Sequence, residues 1–355
     1  MSIDLKIHQT HSAICKQAAR QIADQIREKP TSAIGLATGS TMEPVYTELL
    51  RLHREEGINF SQARFFNLDE FEDIEPNDER SFEYYLRTLF LSKTDAKEEN
   101  IHLVKGKDFS PEAYEETINK IDIDIQLLGI GREGHIGFNE ARQGRGIKSS
   151  TDKVPLAPST LEDTAASFGG IDKVPTHAYT QGVGTIMKAE KLIMIVNGGH
   201  KAKIATQMLT DGNIENLPAR AILRHKDVSL FMDTPSAELL TDDQLSLHAR
   251  MEEKEIANFR KGFDPIRIPM AGGNEVVLPY NADIFLPKVM QLEDTFSPEN
   301  SEHLKAFQEM MEHTTASYVG AHPDDAELWC AHEIENHIEA LKEGKKAHFL
   351  NIVVT

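Results

Sequence analysis

Glu133, His135 and Glu140 fall within eight residues of one another, in GIGREGHIGFNE at 129–140. A histidine titrates near neutrality and moves protons in either direction, while nearby carboxylates fix its tautomer and stabilise its cation, so this trio suits general acid/base work. The run before it, IDIDIQLL at 121–128, is apolar-rich and of strand length, and it breaks at glycines. The spacing therefore predicts chemistry at the carboxyl end of a parallel strand, where open α/β sheets bind ligands.

Two further segments have the same form. ARFFNLDEF at 63–71 is a strand-like run ending in Asp69 and Glu70, before the acidic loop EDIEPNDE and the helical SFEYYLRTLFL. Acids just past a second strand can share a pocket with the first segment, although alone they read more readily as a solvated turn or helix cap. AIGLATGST at 33–41 runs into Thr38, Gly39, Ser40 and Thr41 and then the helical MEPVYTELLRLHREEG. Small and hydroxylated residues at a strand-to-helix turn leave backbone N–H groups to cradle a phosphate. No Gly-Lys-Ser/Thr follows, so a nucleotide is not implied.

These segments need a scaffold of alternating strands and helices. A helix is expected near 10–28 and strands near 33–37, 62–68, 101–104, 123–130, 191–197 and 227–232, with helices between. That alternation predicts an α/β fold, doubly wound and Rossmann-like, with a mostly parallel sheet carrying helices on both faces, plus a partial second α/β unit. The pattern dissolves after about 262, where GFDPIRIPMAGGNEVVLPYNADIF is punctuated by proline, glycine and asparagine. The expected organisation is a first domain over 1–261, a linker or irregular arm with a helix over 262–313, and a βαβ fragment over 314–355.

The formal charge of −19 over 355 residues argues against nucleic acid or an anionic membrane as partner. It also singles out Lys201 as a cation for an anionic ligand. With only Cys15 and Cys330 there is no disulfide framework, and the N-terminus carries no apolar signal region, so a cytoplasmic location is expected.

Taken in order, LATGST (36–41), FFNLDEF (65–71), SFEYYLRTLF (81–90), GIGREGHIGFNE (129–140), GVGT (182–185) and NGGHKA (197–202) resemble the glucosamine-6-phosphate deaminase/isomerase family over roughly residues 1–250. The resemblance implies an enzyme that needs no cofactor and converts the small-molecule sugar phosphate glucosamine 6-phosphate, with water, to fructose 6-phosphate and ammonia. Homo-oligomerisation stays open. It implies Asp69 as the base at C2 of the opened sugar, His135 as the ring-opening acid/base beside Glu133, and Glu140 as the carboxylate that orients it. Thr38, Gly39, Ser40, Thr41 and Lys201 are implied as phosphate contacts. Two departures stand out. Glu133 occupies a position where the family usually has aspartate, and Leu161 and Ala166, in PSTLEDTAASFGG at 158–170, stand where its lid carries arginines. Losing a bidentate guanidinium weakens phosphate binding by on the order of 2 to 4 kcal/mol.

Near the C-terminus, ASYVGA at 316–321 reads as a strand, followed by His322, Pro323, Asp324 and Asp325 and a helix-like stretch to Leu341. A His and an Asp three apart past a strand can reach one cation, and Asp324 beside them can activate a metal-bound water. AHPDDAE resembles the opening motif of zinc-dependent N-acetylglucosaminyl deacetylases. This implies His322 and Asp325 as ligands of an incomplete zinc site with Asp324 as base, in a truncated deacetylase-like fragment that holds zinc only if the domain is complete. His332, His337 and His348 do not match the family's further ligand by motif.

Three functions compete: the deaminase/isomerase; a 6-phosphogluconolactonase-like hydrolase, against which Phe138-Asn139-Glu140 speaks; and a catalytically weakened sugar-phosphate-binding module.

Overall fold

The computed structural model describes residues 2–141, 144–263, 266–269 and 275–278. The chain divides into two compact units, Met1–Glu253 and Lys254–Thr355. The first contains β1 (Ser2–His8), α1 (His11–Glu28), β2 (Ala33–Leu36), α2 (Glu43–Glu56), β3 (Arg64–Asn67) and β4 (Asp69–Phe71). Next come α3 (Phe82–Leu89), β5 (Ile101–His102), α4 (Pro111–Ile121), β6 (Ile125–Leu128), β7 (Asp152–Pro155) and α5 (Pro158–Phe168). It ends with β8 (His177–Thr180), α6 (Val183–Ile186), β9 (Lys191–Val196), α7 (Ala202–Met208), β10 (Asp227–Asp233), α8 (Thr234–Ala237) and α9 (Asp242–Ala249).

Seven strands form one sheet in the order β5-β3-β2-β6-β9-β10-β1, and every neighbouring pair is parallel. From β2 the chain builds outward through β3 to β5, then returns to the other side of β2 and builds through β6, β9 and β10. The reversal lies between β2 and β6, and such a switch point opens a crevice at the strands' carboxyl ends. All residues of β2 and β6 are buried, so both faces at the centre of the sheet are covered, as a parallel sheet requires. This is the doubly wound α/β architecture that the alternation of elements predicts.

The helices follow from their sequences. In α1, Thr10 accepts from Ala13 N at the start, and Ile14, Ala18, Ile22 and Ile26 make one buried stripe at helical spacing. Pro44 opens α2, and Gly57, at φ 70°, closes it.

Two features are absent from the sequence expectation. Residues 2–8 form β1, an edge strand in register with β10 from Ser2↔Asp227 to His8↔Asp233. Its strict apolar/polar alternation, Ile3, Leu5 and Ile7 against Asp4, Lys6 and His8, is the period-2 signal of a half-buried strand. The second is a three-stranded antiparallel sheet, β4-β8-β7, whose strands are too short and far apart in sequence to show a pattern. With α5 it encloses its own apolar cluster of Phe71, Phe138, Val154, Phe168, Val174 and Ala178, against which Phe82, Leu161 and Ala165 pack.

In the second unit, α10 (Glu253–Lys261) precedes β11 (Ile266–Pro269) and β12 (Glu275–Leu278), which pair antiparallel. This ribbon falls within the segment expected to be irregular. Its signal in the sequence is the two β-prone runs IRIP and EVVL. His322, Asp324 and Asp325 lie outside the described residues.

Candidate functional site

Two turns of the same design lie together at the carboxyl ends of the sheet. After β2, Gly39 takes φ 101° and ψ 158° and leads into a 3-10 turn, Ser40–Met42, that continues as α2. After β9, Gly198 takes φ 83° and ψ 145° and leads into a 3-10 turn, Gly199–Lys201, that continues as α7. A Cβ on Gly39 would meet nothing within 4 Å, so glycine is needed there for the backbone angle and not for space. Neither turn has a side-chain cap, which leaves N–H groups and the helix's positive end directed at the crevice.

The turns are tied together. Thr41 Oγ1 donates to Asn197 Oδ1 at 2.7 Å, and Lys201 Nζ lies 3.5 Å from Thr41 Oγ1. Each is also anchored from outside. Tyr85 OH donates to Gly39 O at 2.8 Å, and Gly198 N donates to the Asp233 carboxylate, 3.0 Å from both oxygens. The structure thus brings Thr38, Gly39, Ser40 and Thr41 onto one loop and Lys201 onto its neighbour.

Asp69 opens β4 and pairs with Thr180 of β8. It is 6% exposed, and burial, reinforced by the adjacent Glu70, pushes its carboxyl up to about 8. Glu70 points the other way, as alternation along a strand requires. Its oxygens accept from Phe71 N, Ser81 Oγ and Glu83 N at 2.7–2.9 Å, so it anchors the first turn of α3.

The loop after β6 closes over Asp69. A Cβ on Gly137 would lie 3.3 Å from Asp69 Oδ2 and 2.8 Å from Thr180 Oγ1, so only a bare Cα lets loop and carboxylate come this close. The His135 ring lies over Gly131, where a Cβ would be 2.0 Å from Nε2, and Gly131 N donates to His135 O at 3.0 Å. Burial holds the His135 imidazole below its ordinary value. Glu133 and Asp163 oppose this and Lys201 adds to it.

Glu133 is exposed and accepts from Ser159 Oγ at 3.2 Å. Glu140 is buried and accepts from Ala157 N and Thr160 Oγ1, supplying the cap that α5, with Ala157 at its N-cap, has no side chain to provide. Burial raises its carboxyl above the ordinary value against these hydrogen bonds. On α5 itself, Leu161 packs into the apolar cluster and Ala166 is exposed. Arg132 pairs with Asp163 at 3.1 Å, and the Arg80 guanidinium sits 4.6 Å above the Phe168 ring.

A groove of about 430 Å³ lined by Glu72, Asp73, Glu75, Arg80, Phe168 and Lys173 contains none of the candidate residues. Among the described residues no group of three or more His, Cys, Asp or Glu could hold a metal ion, and no helix is long and apolar enough to cross a membrane. Thr180, Asn197, Asp233 and Thr160 were not singled out in the sequence. Asn197 sits inside NGGHKA and Thr160 inside PSTLEDTAASFGG, but Thr180 and Asp233 carry no motif signal.

Residues 7–232 match the family described as glucosamine-6-phosphate isomerases/6-phosphogluconolactonase. Glucosamine-6-phosphate deaminase 1 of Bacillus subtilis is 39% identical over 237 residues, 65% of this chain and 97% of its own length. A solved monomeric glucosamine-6-phosphate deaminase superposes with a TM-score of 0.64 at 36% identity, covering 67% of this chain and 100% of its own. A 6-phosphogluconolactonase from Trypanosoma brucei shares the fold, with a TM-score of 0.55 at 20% identity.

Proposed function

The chain belongs to the glucosamine-6-phosphate isomerase/6-phosphogluconolactonase family, and from that premise we propose that it is a glucosamine-6-phosphate deaminase, converting glucosamine 6-phosphate and water to fructose 6-phosphate and ammonia. The observation that carries this reading is Asp69: a buried carboxyl, pushed up to about 8, pressed against the loop that carries His135 at the sheet's switch point. Removing a carbon-bound proton needs a base that is dry, close and matched to the working pH.

In this reading the imidazole of His135 moves the proton between the ring oxygen and O1 as the sugar opens. Asp69 then takes the C2 proton, giving an enolamine, and returns it to C1. The resulting ketimine is hydrolysed by water to the ketone and ammonia. Glu140, fixed by α5, and Glu133 set the electrostatics around the imidazole. Thr38, Gly39, Ser40, Thr41 and Lys201 hold the phosphate with N–H donors, hydroxyls and a cation. The chemistry runs on proton transfers and needs no cofactor. A phosphorylated sugar as substrate and only two cysteines support a cytoplasmic location.

The lid residues Leu161 and Ala166 favour one second reading, a sugar-phosphate-binding module with weakened turnover. Incubating the purified chain with glucosamine 6-phosphate and measuring ammonia and fructose 6-phosphate decides between them. Binding without ammonia release establishes the module, and hydrolysis of 6-phosphogluconolactone without ammonia release establishes the lactonase.

The proposed division is a deaminase-like domain over 1–261, an arm over 262–313 and a deacetylase-like fragment over 314–355. The fragment rests on the AHPDDAE motif alone, with His322 and Asp325 as zinc ligands and Asp324 as base.

A further inference from the structure

We infer that Arg145 is a positioning residue for the β6 loop: its guanidinium fixes the side chain of Asn139 and thereby holds residues 135–140 against Asp69. What the loop does rests on the deaminase reading above. How it is held rests on the contacts alone.

Arg145 is 9% exposed, and arginine is rarely so buried. Its Nε donates to Asn139 Oδ1 at 2.8 Å, and one terminal nitrogen donates to Ser150 O at 2.7 Å. The other lies 3.7 Å from Asp152, whose side chain is mostly exposed. Such a wet, distant pair contributes little, so the guanidinium is held mainly by neutral acceptors.

A guanidinium only donates, so Asn139 must present Oδ1 to it, and Nδ2 must point the other way. There Nδ2 donates to Ile136 O at 2.9 Å and to Gln181 O at 2.7 Å. One amide orientation thus joins the end of the loop to its own middle and to the residue after β8. Phe138 N adds a bond to Thr180 Oγ1 at 3.1 Å, on the strand that pairs with Asp69. Between these ties lies Gly137, the residue that covers the Asp69 carboxylate. Without Arg145 the buried Oδ1 loses its donor, the amide is free to turn, and water gains access beside Asp69.

The test compares the parent with Arg145→Met, which keeps the apolar stem without a donor, and Arg145→Lys, which keeps one donor. In Arg145→Met, kcat falls about 10- to 100-fold with KM within about 2-fold, because the glycine turns are on other loops. The rising limb of kcat/KM against pH moves to lower pH as Asp69 becomes wetter, and hydrogen exchange quickens in the peptide spanning 136–140. Arg145→Lys recovers most of the kcat. Exchange over 136–140 equal to the parent's overturns the inference, as does a kcat loss that lysine does not rescue and that leaves the pH limb in place. If Arg145→Met does not fold, Arg145→Gln, too short to span to Asn139, is read by the same exchange comparison. A parent that releases no ammonia refutes the deaminase reading, while exchange still decides the clamp.

Discussion

The crevice has two sides held in different ways. On one, the turns after β2 and β9 are bound into the seven-stranded sheet and tied by Thr41, Asn197, Tyr85 and Asp233. On the other, α5 rests on a small antiparallel sheet through its own apolar cluster and is fastened to the chemistry through Glu140. The sheet side carries the LATGST and NGGHKA segments that resemble the family. The α5 side is where Leu161 and Ala166 stand at positions for which the resemblance implies arginines. A turn defined by positive-φ glycines tolerates little change, whereas an exposed position such as Ala166 costs the fold almost nothing to alter. Substrate recognition can therefore drift on α5 while the proton chemistry stays fixed.

The largest expected effect falls on Asp69, at the start of β4 in the small sheet. Asp69→Asn lowers turnover about 10³-fold or more while sugar-phosphate binding persists, because an amide keeps the shape but takes no proton. Turnover within a few-fold of the parent removes Asp69 as the base. The same substitution has a stability signature. With its folded carboxyl raised to about 8, Asp69 favours the fold at low pH and loses that contribution as pH rises through about 8. The melting temperature of Asp69→Asn relative to the parent therefore climbs between about pH 4 and pH 8 and levels off above.

Next in size, Lys201→Ala raises KM about 30- to 100-fold and lowers kcat far less, since the phosphate lies away from the reacting carbons. Steady-state kinetics with an unchanged KM would put Lys201 outside the pocket. Restoring the guanidinium probes the α5 side: Ala166→Arg lowers KM about 10-fold with little change in stability. No gain in affinity would show that α5 does not reach the phosphate, and the comparison between the two sides would fail. Smallest, Tyr85→Phe removes one hydrogen bond to Gly39 O, about 1 kcal/mol, and raises KM a few-fold at unchanged kcat. An equal loss in kcat would mean that the two sides are mechanically coupled.

The sheet side was legible in the sequence because its signals are local. Strand, glycine turn and helix follow one another within 33–57, and again around 191–208. Asp69 and His135 were legible as chemistry by type and position. The small antiparallel sheet was not, since Asp69–Phe71 finds its partner at His177–Thr180, and pairing over that distance leaves no periodic trace. Nor could residue type reveal that Glu140 caps α5, a contact made by the fold. The strand β1 carries its own local signal, a strict alternation over residues 3–8.

That strand bears on the order of assembly. Ser2 pairs with Asp227 and His8 with Asp233, so β1 finds its partner only after almost the whole first unit has been made. Contacts so distant in sequence close slowly. Asp233, the last residue of that pairing, is also the one that fixes Gly198. The glycine turn at Gly198 is thus among the last features to become rigid, and pulse-labelled hydrogen exchange during refolding should show Gly198 protected together with β1 and not with β2 or β3.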